Sequence, residues 1–422
     1  MRTSDSRRAS IFLERGVTTT AKRDEARRRT RVFSCAMAIV AAGLGVMFVG
    51  ATLPTPLYPI YRSSFDFGKL TLTLIYAIYV LGNLAALLVF GRLSDQIGRR
   101  LVILPAVGIG ALSVVAFLFA DGVGWLLAAR VLSGLATGLA SGAATAWIAE
   151  LQPEHDRAIA AVTASGANFI GLAVGSLLAG TLADLAPWPL RLSYIVYLGL
   201  LLAVGVAVVF PPETVESRAH RWTDLALRPR LGVPVGIRLS FMSPAATAFA
   251  TFALIGFYAA LIPSVLAESL HQSRPLVSGA IVFELFVVAT ATTVLTGHVA
   301  SRKAMLGGLA LLPPALALLI GVEVKRSMVL LVAAAAVSGV AAALGYRGSL
   351  EVVNRISPAD QRSEVVSSYL FAVYAGNSLP VIGIGMLSGM VSSAVAHVIF
   401  AVVIAALAAV AFFVGVKYAR EY

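Results

Sequence analysis

Gly91-Arg92-Leu93-Ser94-Asp95-Gln96-Ile97-Gly98-Arg99-Arg100 is a charged, glycine-bracketed stretch wedged between two long apolar runs. Apolar runs of about 20 residues read as membrane-spanning helices, so this stretch must turn the chain at a bilayer surface. An acid beside three arginines exceeds what a simple turn needs.

The composition matches a chain covered mostly by lipid. Of its 422 residues 59% are hydrophobic and 13% charged, with a mean hydropathy of +0.87. That excludes an ordinary soluble enzyme, and a transmembrane barrel would show short alternating strands instead of long apolar runs. The single cysteine, Cys35, lies in the first apolar run and is expected to be a small packing residue; it cannot form an intrachain disulfide.

Twelve spans are expected: 33–52, 71–91, 101–119, 124–148, 158–183 and 191–211, then 237–263, 276–297, 303–321, 327–346, 365–388 and 393–415. The expected organisation is a basic tail at 1–31, a six-helix bundle at 32–211, a linker at 212–236, a second bundle at 237–416 and a C-terminus at 417–422. With both termini placed inside, 26 of the 33 Lys and Arg residues fall on the inner side and six outside, and Arg130 lies within a span. Positive-inside bias therefore makes both termini cytoplasmic. The tail lacks the short apolar core of a secretory signal. It is expected to be a cytoplasmic topogenic segment in reach of membrane lipid headgroups, with no role in nucleic-acid binding.

The halves echo each other. A shift of 205 or 206 residues places Gly91 on Gly297, Ser133-Gly134 on Ser338-Gly339, Gly171 on Gly376 and Gly180 on Gly385. The segment Gly297 to Lys303 then reads as a copy of the opening loop without its acid. Such internal duplication is the mark of a transporter built from repeated bundles.

Within the spans, charge is sparse and therefore informative. Arg130 is the only basic residue deep in an apolar run, where a charge is costly unless it faces a partner or water. It either points inward or snorkels outward. Glu284 is the acid well inside the second half; it carries either a coupling proton or a cationic-substrate contact, or else a structural hydrogen bond. Gly134, Gly138 and Gly142 in the fourth span, and Gly166, Gly171, Gly175 and Gly180 in the fifth, form small faces suited to close helix packing.

The opening loop, Val49-Gly50 followed by Pro56-Leu57-Tyr58-Pro59, Arg130-x-x-x-Gly134 and the glycine-rich fifth span together resemble the major facilitator superfamily, most closely its twelve-helix drug and metabolite proton antiporters. Two positions depart from its patterns: Gln96 stands at a usually basic site, and Ser176 stands where the antiporter signature has proline. The resemblance implies an all-α polytopic membrane protein with twelve transmembrane helices in two pseudo-symmetric six-helix bundles. It also implies that Gly91, Asp95, Gly98, Arg99 and Arg100 form a cytoplasmic latch between the halves, and that Arg130 faces a central cavity and serves proton coupling. In that fold the last helix of each half is peripheral, so His397 is expected to be structural.

The resulting expectation is a monomeric secondary active transporter in a bacterial inner membrane that exports small lipophilic compounds by alternating access, with protons as coupling ion. The alternative is a symporter or facilitator importing a sugar or organic acid. No cofactor or metal is expected, and neither a His-Glu metal spacing nor a nucleophile elbow supports an enzyme.

Overall fold

The computed structural model describes residues 32–91, 93–152, 156–215, 231–358 and 360–418. The basic tail and the middle of the linker, on which two of the expectations above fall, lie outside the described residues. The described residues form helices and no strands. In chain order the first half holds α1 (32–52), α2 (Tyr58–Phe65), α3 (Lys69–Phe90), α4 (Leu93–Ile97), α5 (Arg99–Leu118), α6 (Val123–Leu151), α7 (Arg157–Leu185) and α8 (Leu192–Ala207). The second half holds α9 (Arg238–Ser269), α10 (Pro275–Leu295), α11 (Ser301–Lys325), α12 (Met328–Ile356), α13 (Arg362–Leu387) and α14 (Ser393–Tyr418).

Among the described residues eleven spans are long and apolar enough to cross a membrane, and α8 is a shorter apolar helix. The sixth span stops at Ala207 instead of 211, because the Pro211-Pro212 pair disfavours helical backbone just before it. By contrast α6 runs to Leu151 and α12 to Ile356, since their polar ends keep good helix formers. After α1 the chain bends through a 3-10 turn, Thr55–Leu57, before α2 begins at Tyr58. Pro54, Pro56 and Pro59 place that bend. Cys35 is exposed, which corrects its expected packing role: it sits on the outward face of the first turns of α1.

Small residues set the packing within each half. A Cβ added at Gly134 would lie 2.1 Å from the Tyr79 carbonyl oxygen, and one at Gly171 would lie 2.1 Å from that of Gly45. The repeat reproduces both contacts: Gly339 would meet the Leu285 carbonyl at 2.5 Å and Gly376 that of Phe249 at 2.3 Å. Gly138 and Gly175 are equally crowded, against Ala86 and Val49, whereas Gly142 has ordinary space and Gly166 faces nothing within 4 Å. The small face is therefore narrower than the run of glycines suggests.

The halves meet along two seams, α7 against α10 and α3 against α13. These too are related by the repeat, with Gly180 pressed on Pro275 and Gly385 pressed on Thr73. Both contacts lie toward the end of the bundle opposite the 91–98 loop.

Candidate functional site

Between the halves lies a cavity of the concave, mainly apolar kind that takes up small molecules. The first half contributes Phe48, Tyr76, Tyr79, Arg130 and Phe169; the second contributes Phe252, Phe286, Tyr346 and Asn377. Its walls are mainly aromatic and apolar, with a few amides and one guanidinium. Two contacts bridge the halves here. Tyr76 donates its hydroxyl to Asn377 Oδ1 at 3.0 Å, and the Phe169 and Phe286 rings stack at 6.1 Å.

Arg130 is fully buried. It points inward and does not snorkel, because its head group is held at three places. Nη1 donates to the Ala51 carbonyl at 3.0 Å, Nε reaches that of Ile75 at 3.4 Å, and the guanidinium lies 4.5 Å over the Tyr79 ring. Its Nη2 finds no partner among the described residues. Glu284 is half-buried on α10 and does not line this cavity; Tyr258, on α9, lies within its electrostatic reach. The structure therefore does not bring Arg130 and Glu284 together at one site.

The 91–98 loop is a compact charged knot. Gly98 takes φ 115°, a conformation that favours glycine, and starts α5. At the first residue of α5, Arg99, only 5% exposed, pairs with Asp95 and with both carboxylate oxygens of Glu150, at 2.5 and 3.1 Å. It also donates to Ser94 Oγ at 2.7 Å. Arg100 donates to the Pro211 carbonyl at 2.6 Å, and Trp147 to that of Pro212 at 2.9 Å. The Glu213 carboxylate caps α5 by accepting the N–H groups of Arg99 at 3.0 Å and Arg100 at 3.1 Å. Burial works against the Glu213 carboxylate, but the Arg99 and Arg100 N–H donors outweigh it and hold its pKa below the ordinary value. These partners of Asp95 and Arg99 belong to the first half and the start of the linker.

At the opposite end, ion pairs cross between the halves. Lys69 meets Glu268 at 2.7 Å, Arg62 approaches Glu268 at 3.8 Å, and Arg274 meets Asp184 at 2.8 Å. Sequence reasoning missed these residues, as it missed Glu150 and Glu213. The only available signal was that each is an ionisable residue at the very end of an apolar run.

The sequence family described as Major Facilitator Superfamily matches residues 36–322. The chain belongs to the major facilitator superfamily. Membership places it among multi-pass membrane transport proteins and not among enzymes. Among individual superfamily members, an "Uncharacterized MFS-type transporter Rv1250" of Mycobacterium tuberculosis is 24% identical over 44% of this chain and 32% of its own length. "Quinolone resistance protein NorA" of Staphylococcus aureus is 30% identical over 27% of this chain and 29% of its own. The chain thus spans about a third of the length of the curated relatives it matches. A crystal structure of a bacterial homolog of the human lysosomal transporter Spinster, in an inward-facing and unoccupied conformation, shares the fold with a TM-score of 0.69. That match has 19% identity and covers 93% of this chain and 99% of that one.

Proposed function

We propose that this superfamily member is a proton-coupled exporter of small lipophilic organic compounds, working by alternating access in a bacterial cytoplasmic membrane. The carrying observation is the aromatic cavity between the two halves, in which Arg130 is the single charge among the described residues. Such walls suit apolar cargo. The resemblance to a quinolone resistance protein points the same way. Positive-inside bias puts the 91–98 loop in the cytoplasm. The end sealed by Lys69, Glu268, Asp184 and Arg274 then faces outward, and the conformation described is inward-facing. In this reading the Asp95 loop latches the halves together only when the cavity opens outward, and Glu284 carries a coupling proton.

A second reading rests on one specific feature. The unpartnered Nη2 of Arg130 could hold a carboxylate, which would make the substrate an organic anion brought inward. Purified protein in proteoliposomes with an imposed proton gradient separates the two. Accumulation of a lipophilic dye or quinolone in inverted vesicles, accompanied by proton release from the lumen, supports export; uptake of an organic anion with protons in the opposite sense overturns it.

A further inference from the structure

Away from the central cavity, His397 on α14 and Glu323 on α11 meet inside the second half. Nδ1 lies 2.6 Å from Oε1, and each side chain is 7% exposed. Around them stand Phe257, Val265, Leu319, Ile320 and Phe400, with the Phe257 ring edge-on to the imidazole at 5.2 Å. A purely structural His397, as the sequence suggests, would be a packing requirement of this helix pair. The repeat argues against that: at the same 205-residue shift the first half has Leu118 and Leu192, on α5 and α8, which pack together as α11 and α14 do. There the two helices are joined by the Phe117 and Tyr194 rings, stacked at 4.6 Å, with no acid–histidine pair at the matching positions.

The position of the pair is equally telling. Glu323 accepts a second hydrogen bond from Ser269, the residue directly after Glu268, whose carboxylate receives Lys69 from the other half. Lys69 also donates to Ser393, one turn before His397. The buried pair therefore sits one residue from one anchor point of the ion-paired seam, through Ser269, and one helical turn from the other.

We propose that His397 and Glu323 form a proton-binding site that stabilises closure of the outer end. The inference rests on the alternating-access reading above. With one proton the pair is an imidazolium beside a carboxylate and carries no net charge. Without it a lone carboxylate is left in an apolar pocket, close to Glu268, at a cost that water can relieve only if the seam opens. The other charges at this end are Lys69 and Arg62 across the seam, Asp184 paired with Arg274, and the exposed Asp66, Asp121, Arg191, His271, Lys325 and Arg326. α13, which also packs on α14, brings no ionisable side chain to this end among the described residues. An acidic exterior should load the pair and hold the outer end shut.

The test uses right-side-out vesicles and the full chain with Cys35→Ser. A single cysteine replaces Ser278, which is 3% exposed on the α10 side of the seam, and is labelled by an impermeant thiol reagent added outside. Rates are normalised to the exposed control Asp121→Cys, which removes the reagent's own pH dependence. Labelling of Ser278→Cys should be slow in acid and rise up to about tenfold per pH unit through one transition, as linkage to a single proton requires. The double variant His397→Leu with Glu323→Leu, which copies the two leucines of the first half, should lose that dependence while keeping its helix packing. Labelling that does not change with pH in the parent, or a dependence retained in the double variant, overturns the site. Because the readout needs no substrate, a failed transport assay would count against the exporter reading and not against this one.

Discussion

Lys69 on α3 and Glu268 at the end of α9 approach to 2.7 Å across the interface between the halves. They share that end of the bundle with Asp184 and Arg274. An ion pair therefore lies beside each helix seam, α3 with α13 and α7 with α10, at the end opposite the 91–98 loop. The charges hold shut what the glycine contacts have already brought together.

Glu268→Gln should loosen this closure without unfolding the protein. The pair is partly exposed, so its worth is at most about 1 kcal/mol, a shift of up to about fivefold between conformations. Faster labelling of a cysteine at Ser278 in the Cys35→Ser background, with an unchanged melting temperature, is the expected result. An unchanged labelling rate would show that the glycine seams alone keep this end closed.

The loop should respond unequally to its two acids. Asp95 is 56% exposed, while Glu150 grips the nearly buried Arg99 with both oxygens. Glu150→Gln leaves that guanidinium underpaired, so its melting temperature should fall by more than that of Asp95→Asn. Asp95→Asn should act on cycling instead, favouring the inward-facing state and slowing transport more than any single change in the Gly297 to Lys303 copy. Transport by Asp95→Asn equal to the parent would reduce the acid to a topological marker.

Glu213 gives the loop a pH dependence with a defined sign. Its carboxylate has a lower pKa in the folded protein than the ordinary 4.5. The stabilisation is therefore fully present above that value and lost as pH falls through the lower folded one. Glu213→Gln should lower the melting temperature at pH 7, and the gap from the parent should shrink as the pH is brought below 4.5. A gap independent of pH would remove the carboxylate's charge from the explanation.

Much of this was legible from one chain because lipid imposes it. Apolar run length sets the spans, and the repeat pairs Gly134 with Gly339 and Gly171 with Gly376 before any contact is seen. The partners of the charged loop were not legible in the same way. Glu150 and Glu213 lie 51 and 114 residues from Arg99, and nothing local distinguishes them from other acids at helix ends. Glu284 shows the converse problem. A lone intramembrane acid predicts importance but not direction, and α10 turns it away from the cavity that Phe286, two residues on, helps to line.

The glycine contacts can be tested against glycines that look alike in sequence. Gly134→Ala and Gly171→Ala each push a methyl into a backbone oxygen 2.1 Å away, and should cost about 1–3 kcal/mol because the facing helix must shift. Gly142→Ala and Gly166→Ala meet no such obstacle and should melt with the parent or slightly above it. Equal loss at all four positions would mean that helix dynamics, not contact distance, governs these sites.

Arg130 decides between the two functional readings. Its guanidinium is held by the Ala51 and Ile75 carbonyls and the Tyr79 ring, a geometry that a lysine ammonium cannot reproduce. If the charge serves only to couple conformations, Arg130→Lys should slow turnover of every transported dye to a similar degree and leave the apparent KM within about twofold. If Nη2 instead receives a substrate carboxylate, the loss should fall on KM for anionic cargo, by about tenfold or more for one charged hydrogen bond, while neutral cargo is spared. Transport of a neutral and an anionic probe by the same proteoliposomes gives both numbers. A KM effect confined to the anion would overturn the export of lipophilic compounds as the principal activity.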